Sequence, residues 1–187
     1  QVSGLEGILL HRLGHALASI HYVGLQGQYL QQVSHAWLGE AMGYAMSFEL
    51  LGRNEVVCVG LKPEGPYAWG NSDDDKVKRE VRLGFRDFLK ESALKNTQPL
   101  DSIFTRDLWE LKDQEIAKGW LFWEWMVETY GLKGEMWLRE LGELGKESSF
   151  DFIPELRKVT EEMFSNGRPG NIFKELEDAW RVSLKES

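Results

Sequence analysis

The stretch HRLGHALASI, residues 11–20, decides how this chain is read. His11 and His15 stand four residues apart, which on a helix puts both imidazoles on one face with Cβ atoms roughly 6 Å apart, a spacing that suits one metal ion. Ser3 with Glu6 three residues later is a capping-box signal, and Leu5, Ile8, Leu9, Leu13, Leu17 and Ile20 follow at helical spacing. The histidines are therefore predicted to lie on a helix over 4–23, broken by Gly24, Gly27 and a glutamine-rich stretch. Ser34 caps a second predicted helix, HAWLGEAMGYAMSFELL at 35–51, stopped by Gly52. Its small residues, Ala36, Gly39, Ala41, Gly43 and Ala45, permit another helix to pack closely on it. Glu40 lies among apolar neighbours there, and a buried carboxylate needs a metal, a cation or strong hydrogen bonds. His11, His15 and Glu40 form a His-His-Glu set, three protein ligands that leave a zinc ion an open fourth position.

Downstream, EVVCVGLK at 55–62 is the one convincing strand candidate, an edge or a hairpin arm closed off by Pro63, Gly65 and Pro66. Residues 73–95 read as a charged amphipathic helix with Val77, Val81, Phe85, Phe88 and Leu89 on its inner face. A loop from Asn96 to Asp101 leads into a short helical piece. EIAKGWLFWEWMVETYG, 115–131, is a strongly apolar aromatic helix stopped by Gly131. Its stripe of Trp120, Phe122, Trp123, Trp125 and Tyr130 reads as core. Three more amphipathic helices are predicted over 133–145, 152–165 and 171–185.

The 187 residues suit one domain, and 42% apolar content with eight tryptophans is that of an ordered globular chain. A net charge of −8 argues against nucleic acid as a partner, because that affinity comes from clustered Lys and Arg. The basic run Lys76-Val77-Lys78-Arg79 follows Asp73-Asp74-Asp75 and reads as the solvated start of a helix. No apolar stretch is long enough for a membrane span. The single cysteine, Cys58, cannot form an internal disulfide and reads as a small buried hydrophobe.

HRLGHAL at 11–17 followed by HAWLGEAMGYAMSFELLG at 35–52 resembles the gluzincin metallopeptidases, thermolysin-like zinc enzymes in which H-E-x-x-H-A-L precedes a W-L-x-E-G-x-A-x-Y helix. KGWLFWEWMVETYGLKGEMWLREL at 118–141 and FKELEDAW at 173–180 are similar to the family's later helices. The resemblance implies that His11, His15 and Glu40 are metal ligands. It also implies one mainly α domain over 1–187, the helical, C-terminal-type portion of a zincin-like fold, with at most a short strand or hairpin near 55–62. Tyr44, one turn after Glu40, is a candidate binding residue of the same cleft, the alternative being a packed tyrosine with one hydrogen bond. His21 and His35 are not expected to be ligands; His21 reads as a helix-end residue favoured by the dipole.

The chain departs from the family at three places. Ala41 stands where a glycine usually follows the ligand glutamate, and the family's β-sheet has no room in the ten residues before His11. Arg12 occupies the position of the glutamate that takes a proton from metal-bound water. A guanidinium does not deprotonate, so the general base, worth typically ~10²–10⁴-fold, is lost. Its charge, ~6 Å from a divalent ion, opposes metal binding by on the order of 5 kcal/mol at an effective dielectric near 20, an upper bound for a side chain able to swing into water. Two states of the site follow: a bound zinc, or a metal-free pair in which Arg12 reaches Glu40 and takes the metal's place. A catalytically inactive scaffold for a peptide or protein is the function expected. The alternatives are an active zinc peptidase with a non-standard general base and an unrelated helical interaction domain.

Overall fold

A computed structural model of the chain describes residues 3–23, 36–51, 86–87, 89–106, 110–146, 152–165, 167 and 170–186, and among them every regular element is helical. Helix α1, Ser3–Ala18, continues into a π-helical turn, Ser19–Val23. The others are α2, Ala36–Leu51; α3, residues 89–95; α4, Leu100–Ile103; α5, Asp113–Tyr130; α6, Leu132–Lys146; α7, Phe152–Phe164; and α8, Ile172–Glu186. The protein is mainly α. The strand expected at 55–62, the basic run at 76–79, Cys58, His35 and the capping serine Ser34 lie outside the described residues. Of the inner face expected for the 73–95 helix only Leu89 is described, and it is fully buried on α3.

Helix α2 is apolar all round and is buried along most of its length, packed between α1 and α5. The core beneath it is aromatic. Trp37, Trp120, Trp137, Trp180 and Phe104 are all fully buried or nearly so, and Phe104 meets Trp37, Trp137 and Phe173 with ring centroids 5.4, 5.8 and 5.8 Å away. Each such pair contributes about 0.5–1.5 kcal/mol beyond its burial. The Trp137 indole donates to the Thr160 hydroxyl at 2.8 Å, so its polar end is satisfied inside the core. Trp120, Phe122 and Trp125 are core residues, as their spacing implies, while Trp123 and Tyr130 are half-buried at its edge.

The corner between α5 and α6 needs glycine twice. Gly131 adopts a positive φ of 54° and donates its N–H to the Val127 carbonyl at 2.9 Å, closing α5. A Cβ on Gly134 would stand 2.9 Å from the carbonyl carbon of Met126 and closer still to its oxygen, so α6 can leave the corner only without a side chain there. On the other side of α5, the buried Lys118 donates to the Gln98 carbonyl and, at 2.7 Å, to Glu177 of α8. Burial pushes this ammonium down from its ordinary range and Glu177 opposes the shift. Glu177 also accepts from Arg181 and from the Leu100 N–H, each at 2.8 Å, which fastens α8 to the start of α4.

Helix α1 turns an unexpected face inward. His11, Gly14, Ala18 and Ser19 are buried, and Tyr22 follows them on the π turn. The apolar residues whose spacing predicts the helix, Ile8, Leu9, Leu13, Leu17 and Ile20, are exposed by 38–58%. Their period is helical, but they are not the buried face. Helix α2 comes too close to α1 for any of them to fit between.

Candidate metal centre

The close approach is made by two glycines. A Cβ on Gly14 would lie 2.6 Å from Gly43 Cα and nearer still to the Met42 carbonyl oxygen. A Cβ on Gly43 would lie 2.8 Å from His11 Cε1 and 3.0 Å from its Nδ1. Bare backbone on both helices thus makes room for one imidazole in their interface. Each glycine follows a candidate ligand by three residues, His11 on α1 and Glu40 on α2, so contact and ligands share a face of each helix.

His11, His15 and Glu40 converge. One donor atom from each lies within 4.8 Å of the other two, and among the described residues no other group of three His, Cys, Asp or Glu does this. The two Nε2 atoms are 3.0 Å apart, His15 Nε2 is 3.2 Å from Glu40 Oε1, and His11 Nε2 is 3.8 Å from Glu40 Oε2. His11 and Glu40 are fully buried, whereas the His15 side chain is 13% exposed and marks the outlet to solvent. Neither Glu40 oxygen has a partner in hydrogen-bond geometry. Burial, then the neighbouring His15 ring and the Arg12 guanidinium, push the His11 imidazole down to about 3, against the backbone of Gly43. His11 is therefore neutral at pH 7, with a lone pair to give.

The donor set fits zinc. A buried carboxylate without hydrogen bonds faces a desolvation penalty that a cation offsets. Bonds of about 2.0–2.1 Å in a tetrahedron place ligand atoms roughly 3.3–3.4 Å apart, the range that the three closest approaches straddle. Two imidazole nitrogens and one carboxylate also favour zinc over magnesium or calcium, which take oxygen ligands.

Tyr44 comes to the site from inside. It is fully buried, its ring meets His11 edge-on at 5.0 Å and stacks on Trp120 at 6.4 Å, so it braces the imidazole and offers no open surface to a ligand. The expected pairing of Arg12 with Glu40 is corrected: no ion pair joins them. One residue along a helix is a rotation of about 100°, so with His11 turned into the interface Arg12 points out to solvent while Glu40 stays enclosed by two imidazoles. His21 lies apart from the His11, His15 and Glu40 group. It sits on the π turn, exposed, 3.4 Å from Glu135 of α6, and this side-chain pairing was not legible beforehand.

No protein-family model, curated protein or solved structure matches the chain. What the site can do follows from its own donors. Two imidazoles and a carboxylate are gathered at one edge of the α1–α2 interface in a set that could hold a metal ion, and Arg12, exposed, lies three residues before His15. The residue that sequence reasoning missed is Gly14; its signal was the glycine inside HRLGH, one turn from His11.

Proposed function

We propose that this protein is a gluzincin-like zinc-binding domain that has lost peptide hydrolysis and holds a peptide or protein partner at the metal. The observation that carries this reading is the convergence of His11, His15 and an otherwise unpartnered Glu40, with Arg12 left in water. His11 and His15 supply lone pairs, Glu40 supplies the negative charge, and Tyr44 with Gly43 fixes the His11 ring from behind. When bound, zinc supplies Lewis acidity to an oxygen ligand at its open position.

What the site lacks is a proton acceptor. Arg12 stands where the resemblance calls for a base, and its guanidinium keeps its protons at any working pH. Zinc-loaded protein is therefore expected to cleave an unstructured peptide no faster than metal-stripped protein, read by mass spectrometry. Arg12→Glu is expected to raise zinc-dependent cleavage by ~10²–10⁴-fold over the unmodified chain. Turnover by the unmodified protein that a chelator abolishes would overturn the loss of hydrolysis and favour a zinc peptidase with another base.

A further inference from the structure

We propose that Arg12 binds a carboxylate that also sits on the metal, and that the occupant is the C-terminal end of a peptide with an apolar last residue. This rests on the zinc-site reading above. Arg12 lies three residues before His15, so the two are neighbours on the surface of α1, and His15 is the ligand with an outlet to solvent. Among the described residues Arg12 has no carboxylate partner, although its forked donors match one. A divalent ion on two neutral imidazoles and one carboxylate keeps a positive charge, and Arg12 beside it adds another. Bound together they repel, and an anion bridging them removes the repulsion. Metal and carboxylate should therefore bind cooperatively, each raising the affinity of the other by the same factor.

The surroundings of Arg12 select which carboxylate. Ile8 and Leu9, one turn earlier, and Leu13, next in sequence, are exposed by 46, 58 and 44%. A small inorganic anion leaves these side chains in water, whereas a carboxylate carried beside an apolar side chain covers them. A peptide C-terminus ending in leucine or a similar residue carries both parts on one residue.

The test uses metal-stripped protein loaded with cobalt(II), whose visible absorption reports both metal uptake and a new oxygen ligand. N-acetyl-leucine, its amide and acetate are titrated into the unmodified protein, Arg12→Gln and Arg12→Lys. N-acetyl-leucine is expected to bind about ten-fold or more tighter than acetate, and the amide not to bind. Arg12→Gln should take up cobalt at least as well as the unmodified chain yet lose about ten-fold or more in affinity for N-acetyl-leucine, with partial recovery in Arg12→Lys. Cobalt uptake with equal N-acetyl-leucine affinity in the unmodified protein and Arg12→Gln would overturn the role of Arg12 alone. Acetate binding as well as N-acetyl-leucine would overturn the apolar peptide. Absence of cobalt uptake in every variant would overturn the metal site, and this inference with it.

Discussion

His15→Ala is expected to weaken zinc binding by about two to three decades while leaving the metal-stripped fold intact. Structural zinc sites bind with apparent free energies of about 10–16 kcal/mol spread over four ligands, so one ligand carries roughly 2.5–4 kcal/mol, or about two to three decades. His15 isolates that share better than its partners do. Its side chain reaches solvent, whereas His11 fills the space beside Gly43 and Glu40 lies wholly inside the helix pair, so removing either also opens a cavity. Competition against a chromophoric chelator measures the affinity, and thermal unfolding of the metal-stripped variant checks the fold. Unchanged affinity would place the metal elsewhere.

Gly14→Ala is expected to cost about 3 kcal/mol of stability and to abolish the site together with the contact. The added methyl would stand 2.6 Å from Gly43 Cα and closer to the Met42 carbonyl oxygen, and both are backbone, with no rotamer to turn aside. Overpacking against movable side chains costs about 1–3 kcal/mol, so a clash of backbone with backbone belongs at or above the top of that range. For a chain of this size that lowers Tm by roughly 6–12 °C. The candidate ligands come from both helices, His11 and His15 from α1 and Glu40 from α2, so moving the helices apart pulls the donors from a common centre. Calorimetric unfolding and zinc titration of the same sample read both effects. A variant as stable as the parent would show that α1 and α2 do not meet through Gly14.

The helices were legible where periodicity and stop signals agree. The α5 helix ends at Gly131 because only a residue at ease with positive φ closes it there, and the letters carry that directly. The grouping of His11, His15 and Glu40 was legible because four-residue spacing on one helix and an acidic residue inside an apolar helix are both local patterns. The inward face of α1 was not. Its apolar stripe gives the period, but which face is buried depends on how closely α2 approaches, and that is set by Gly14 meeting Gly43 across 29 positions of sequence. The same holds for Arg12. Its chemistry follows from its identity, whereas its separation from Glu40 follows from the rotation of α1 against α2. The Lys118–Glu177 pair joins residues 59 apart, and no local pattern announces it.

Calorimetric titration of zinc into metal-stripped protein tests the shared site of His11, His15 and Glu40 most directly. One equivalent per chain with a Kd of about 1 µM or tighter is the expected result. No saturable uptake, or uptake that survives with the same affinity when His15 is replaced by alanine, would contradict it.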